Sequence, residues 1–142
     1  KGPERFTLER LTEKLGGGDR VRFYGHLPRD RARSLLSSAD VFIQTSLFEG
    51  HSLALLEAAS LSIPIVVSDV PAQREAVTLA SGDLGGIVIA LHDAQALSNE
   101  LRRLSVDDSY YTHWTRMSKV LATRSSYNSM IESYASLLIV PR

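Results

Sequence analysis

Apolar residues along this chain alternate between helix spacing and short unbroken runs. Glu4–Leu15 carries Phe6, Leu8, Leu11 and Leu15 at helix spacing. Gly16-Gly17-Gly18 predicts the stop, because glycine takes the left-handed turn that closes a helix. Val21–Tyr24 predicts a strand, Arg29–Ser38 a short basic helix and Asp40–Gln44 a second strand, with Thr45–Gly50 a loop. Ser52–Leu61 predicts a helix capped by Ser52. Ile63–Val67 is β-branched around Pro64 and does not alternate, which predicts a strand buried on both faces. Ala72–Leu79 predicts a helix, Gly85–Ala90 a fourth strand and Asp93–Leu104 a helix with its own N-cap. Asp107–Leu138 predicts two amphipathic helices holding Trp114, Tyr127 and Tyr134.

About four strands separated by helices predict an α/β fold: a Rossmann-like, doubly wound parallel sheet in α/β/α layers, followed by C-terminal helices. Residues 1–142 are expected to form a single domain. Ligands of such sheets bind at the C-terminal ends of the strands. Thr45–His51 leaves a strand and enters a helix, so it is the first place to look.

Composition narrows the function. Apolar residues make up 44% and charged residues 23% of the 142, as in a globular chain. The 16 basic and 16 acidic residues cancel, which argues against a general nucleic-acid partner but not against a small anion. The absence of cysteine excludes a disulfide framework, a thiolate zinc site and a cysteine nucleophile, and fits a cytoplasmic protein. Apolar runs such as Ser52–Ala59 fall far short of the roughly 20 residues of a membrane helix. Lys1–Arg10 is charged and has no signal-peptide core. No phosphate loop of the G-x-x-x-x-G-K-[ST] form occurs, and Gly16-Gly17-Gly18 follows a helix, the wrong order for a dinucleotide fingerprint. His26, His51, His92 and His113 have no partner at metal-ligand spacing, so no metal is expected. A G-x-S-x-G elbow is also lacking.

The informative stretch is Ser46–Ala58. The helix Ser52–Leu61 is apolar nearly all round and is expected to be largely buried, with Glu57 in its middle. A buried carboxylate is costly without donors. Glu57 lies within about 8 Å of the helix start, and its side chain tilts back toward that start. The start itself offers the amides of His51 to Ala54 and the positive end of the helix dipole to an anion. One helix can thus hold a diphosphate at its start and a ribose at Glu57. Alternatively, Glu57 pairs with an arginine or caps a backbone group. Glu49, ahead of Gly50, either faces the same crevice or is a solvated loop acid. Gly50 permits a close backbone approach or a positive φ.

These residues, taken in order, resemble the C-terminal half of a family 4 type retaining glycosyltransferase with the GT-B fold. The resemblance is carried by Val21-Arg22-Phe23-Tyr24-Gly25-His26-Leu27 and by Ala39-Asp40-Val41-Phe42-Ile43-Gln44-Thr45-Ser46. Glu49 and Glu57 then stand eight apart, as in the family's E-x7-E signature. Pro64-Ile65-Val66-Val67 with Ser68-Asp69-Val70, Glu75, and Gly86-Ile87-Val88-Ile89 complete the pattern.

The resemblance implies a nucleotide-diphosphate sugar donor, no cofactor and no bound metal. It implies that Glu57 holds the ribose hydroxyls and that Glu49, the catalytic candidate, faces the donor sugar and the reacting centre. Gly50, His51, Ser52 and Leu53 would meet the sugar and diphosphate, and Leu27 would pack near the base. Basic residues and helix termini would stabilise the leaving diphosphate. The parent enzyme would move a hexosyl-type sugar to an acceptor hydroxyl with retention, as in polysaccharide synthesis, in the cytoplasm or at the inner face of the membrane.

The sequence departs from that pattern in four places. Ser62 stands where the family usually has glycine before the Pro64 strand. His51 stands where Phe or Leu is common, and either donates to a phosphate or fills the loop. Pro71-Ala72-Gln73-Arg74 replaces a frequent Gly-Gly. Lys1-Gly2-Pro3-Glu4-Arg5 resembles the segment that follows the second strand of the C-terminal domain. By that reading the first two strands, the basic pair that clamps the diphosphate and the acceptor-binding N-terminal domain all lie upstream. The chain alone would then be inactive, expose apolar patches and tend to self-associate. Two alternatives stand beside this reading: a GT-B epimerase acting on a nucleotide sugar, and a stand-alone α/β interaction module with a degenerate site.

Overall fold

The computed structural model describes residues 2–50, 52–124, 131–132 and 134–136. Its helices are α1 (Arg5–Lys14), α2 (Arg29–Ser37), α3 (Leu53–Ser60), α4 (Pro71–Val77), α5 (Ala94–Val106) and α6 (Asp108–Arg124). Its strands are β1 (Phe42–Gln44), β2 (Ile65–Ser68) and β3 (Ile87–Ile89). The chain divides into two units, Lys1–Leu35 and Leu36–Arg142.

In the first unit, α1 ends as the glycines predict. Gly16 has φ 69°, Gly16 N–H bonds Glu13 O at 3.0 Å and Gly17 N–H bonds Thr12 O at 2.9 Å. These two bonds satisfy carbonyls that the helix end leaves open. Arg5 pairs with Glu9 at 2.6 Å and donates to Phe23 O at 3.2 Å. Val21–Tyr24, expected as a strand, is not one. A strand exists only through a ladder with a neighbour, and the described residues of this unit include no second strand. Neither α1 nor α2 contains a buried residue.

The second unit holds a three-stranded parallel sheet in the order β1-β2-β3, so three strands form among the described residues where about four were expected. Phe42 pairs with Ile65 and Gln44 with Val67, while Val66 pairs with Ile87 and Ser68 with Ile89. Every residue of the central strand β2 is buried, as its unbroken β-branched run predicts. Ile65 and Val67 pack with Leu55, Ala58, Val77 and Leu121, from α3, α4 and α6. Val66 packs with Ile87, Ile89 and Leu104, joined by Tyr110 and Trp114. The alternation of β2 residues between these clusters puts helices on both faces and gives the expected α/β/α layers. Ser118 of α6 donates to Ile63 O at 2.7 Å and ties that helix to the entry of β2. Of the second C-terminal helix expected beyond α6, Tyr127 lies outside the described residues, and Tyr134 is exposed.

Candidate functional site

A parallel sheet ends all its strands on one side, and the candidate residues gather there. Gln44 is the last residue of β1 and Ser68 the last of β2. Between β1 and α3 runs the loop that holds Glu49. Gln44 Nε2 donates to Glu49 Oε2, and Gly50 N–H donates to Glu49 Oε1 at 3.1 Å. The half-buried Glu49 carboxylate is thus held on both oxygens.

Ser52 caps α3 as expected: its Oγ accepts from Leu55 N–H at 3.2 Å. The same hydroxyl donates to Gln44 Oε1 at 2.7 Å. The cap residue and Glu49 are therefore joined through one side chain. The amides of Leu53 and Ala54 lie in the first turn, where a helix supplies no acceptor of its own.

The expectation of a largely buried helix needs correction. Leu55, Ala58 and Ala59 are buried, but Leu53 is 69% exposed, Ala54 and Ser60 are exposed and Glu57 is half-buried. Only one face of α3 meets the core, so Glu57 is not fully buried. Leu47 and Phe48 next to Glu49 are also exposed, Phe48 at 90%. Gly50 does not take a positive φ, and a Cβ built on it meets no atom within 4 Å. The fold itself leaves that position open, which keeps the close-approach reading and removes the positive-φ one.

The structure brings Glu49, Gly50, Ser52, Leu53 and Glu57 together along one loop and one helix. His51 lies outside the described residues. Leu27 belongs to the first unit, half-buried beyond the Gly25 turn at φ 67°. Among the described residues no three His, Asp or Glu side chains gather to form a metal cluster.

Three residues of the site escaped the sequence reading: Gln44, Ser68 and Gln73. Gln73 is fully buried on α4. Its Nε2 donates to Gln44 O at 3.0 Å, and its Oε1 accepts from Ser68 N–H at 3.1 Å. Ser68 Oγ lies 2.6 Å from Gln73 Oε1 and 2.7 Å from Ser46 O. The available signal was a polar residue on the core side of a helix, in the segment where Pro71-Ala72-Gln73-Arg74 departs from the family pattern.

Beside this network, a cavity of about 200 Å³ is lined by Thr45, Leu47, Ser68, Leu91, His92 and Asp93, at the ends of all three strands. Directly after β2, Asp69 is gripped by Arg74 through two bonds of 2.7 Å. The Arg74 hydrogen bond, aided by its charge, holds the Asp69 carboxyl below its ordinary pKa.

The family model described as glycosyl transferases group 1 matches residues 1–120. O-antigen chain mannosyltransferase B of Escherichia coli is 32% identical over 110 residues, 78% of this chain and 28% of that protein. D-inositol 3-phosphate glycosyltransferase of Corynebacterium urealyticum is 30% identical over 138 residues, 94% of this chain and 32% of that one. Among solved structures, HepE of Anabaena in complex with UDP matches with a TM-score of 0.79 at 21% identity, covering 94% of this chain and 36% of that one. Such a likeness shows the fold, and the fold shared is GT-B. The chain spans only 28% and 32% of the length of the two relatives.

Proposed function

The chain belongs to the glycosyl transferases of group 1, and from that premise we propose that Leu36–Arg142 binds a nucleotide-diphosphate sugar along Glu49–Glu57. The parent enzyme passes the sugar to an acceptor hydroxyl with retention of configuration. The carrying observation is that Leu53 and Glu57 lie on one short helix capped by Ser52, with Glu49 hydrogen-bonded to the same Gln44 that accepts from the cap. The diphosphate meets the amides at the start of α3, where the helix dipole favours negative charge. Glu57, one turn further on, accepts from the ribose hydroxyls. Glu49 stands before the helix start and faces the sugar and the reacting centre. Leu27 and His51 remain proposed contacts to the base and phosphate. UDP is the first nucleotide to test, because HepE was solved with it.

The domain reading is also a proposal: the chain is part of a C-terminal donor domain, completed by upstream strands and an acceptor-binding domain. Among the described residues β1 pairs on one edge only, and Val21–Tyr24 pairs with no strand. In the doubly wound order 3-2-1-4-5-6, the third and fourth strands are separated by the first two. Strands upstream in the parent enzyme would supply a partner for each. The exposed Leu47, Phe48 and Leu53 then lie on the side that faces the acceptor domain. No helix of the described residues is long and apolar enough to cross a membrane. The proposed place of work of the parent enzyme is the cytoplasm or the inner face of the membrane, in polysaccharide assembly.

The test is Glu57→Ala with UDP affinity read by calorimetry. Alanine is a good helix former and Glu57 is only half-buried. Affinity is expected to fall at least ten-fold while the melting temperature holds. Unchanged affinity, or unfolding without a binding defect, refutes the ribose role.

A further inference from the structure

We propose that Gln73 and Gln44 are paired positioning residues: Gln73 locks the backbone at the end of β1, and Gln44 from there aims Glu49 and the α3 cap. The inference rests on the donor-site reading given above and adds to it two residues that touch no ligand.

The order of the bonds follows from the donors available. Ser52 has one hydroxyl proton and accepts from Leu55 N–H. The Glu49 carboxylate only accepts, so Gln44 turns its Nε2 to it, and the Oε1 left facing Ser52 takes the hydroxyl proton. One planar group thereby fixes the angle between the carboxylate and the helix start. Gln44 is itself held from behind. The buried Gln73 directs its NH₂ to Gln44 O and its oxygen to Ser68 N–H and Oγ. Ser68 Oγ also lies 2.7 Å from Ser46 O, and its single proton serves one of these two acceptors, while Gln73 itself ties the end of β1 to the end of β2.

Only a carboxamide offers a donor and an acceptor in this geometry. At position 73, glutamate sets an oxygen against the Gln44 carbonyl, and methionine leaves buried polar groups without partners. At position 44, glutamate sets a second carboxylate beside Glu49, where like charges resist joint ionisation.

The experiment compares wild type, Gln73→Met, Gln44→Met and Gln44→Glu on the full chain. Amide hydrogen exchange is read without ligand, and UDP affinity is read by calorimetry. Each variant is expected to speed exchange in Thr45–Leu53 at least ten-fold while β2 and β3 keep their protection, and to weaken UDP at least ten-fold. Gln44→Glu is expected to show a pH dependence of UDP affinity between about 4 and 7 that differs from that of wild type. Unchanged exchange in the loop overturns the relay. Faster exchange with unchanged affinity assigns the pair to structure alone and also overturns it. If Gln73→Met unfolds, the two Gln44 variants decide. If wild type binds none of UDP, GDP and ADP, the donor reading is what has failed, and loop exchange alone judges whether the pair holds Glu49.

Discussion

Ser62 sits at φ 60°, in the left-handed region that costs a non-glycine residue roughly 1–2 kcal/mol. Its N–H bonds Ala59 O at 2.9 Å and the next, Ile63 N–H, bonds Ala58 O at 3.2 Å, so it closes α3 as a glycine would. The substitution noted in the sequence thus lies where the backbone asks for glycine. Ser62→Gly is expected to stabilise the chain by about 1 kcal/mol, read from urea unfolding. A loss of stability would mean the Ser62 side chain contributes more than the backbone strain costs. Gly50 is the opposite case. The fold neither needs its φ nor fills its space, so Gly50→Ala should leave the melting temperature unchanged. Any fall in UDP affinity then reports the approach of the ligand, and an unchanged affinity removes Gly50 from the site. At this scale the Ser52 cap was legible, because its signal is local. Gln44 and Gln73 were not, since their roles depend on which strand ends the fold brings together.

The helices were legible to within a few residues because glycine, proline and capping side chains mark their ends. Asp93 caps α5 through Ala96 N–H at 2.8 Å, as its position announces. The burial of α3 was misread: its sequence is apolar all round, but only one face meets the core. Asp107 illustrates an element held by charge. Its Oδ1 accepts from Ser109 Oγ at 2.7 Å and from Tyr110 N–H at 2.9 Å at the start of α6. Those hydrogen bonds, Ser109 first, hold its pKa below the ordinary 3.8. The folded state therefore takes up this proton less readily than the unfolded chain. The resulting stability is present above about pH 3.8 and is lost as pH falls through the lowered value. Asp107→Asn keeps a cap without the charge. The stability advantage of wild type over this variant should shrink between pH 5 and pH 2.5, as followed by urea midpoints. A constant difference across that range would contradict the charge argument.

For the molecule as a whole, the parallel α/β/α arrangement was legible from alternating helix and strand signals, and from a central run apolar enough to need cover on both faces. The Val21–Tyr24 strand failed because strand propensity needs a neighbour, and the described residues give it none. The central claim is that this chain holds a nucleotide-sugar donor at the ends of its strands. An amide NMR titration of the chain with UDP, GDP and ADP in turn tests it most directly. Saturable shifts are expected for UDP, centred on Thr45–Glu57. No shift with any of the three nucleotides, or shifts confined to other surfaces, would contradict it.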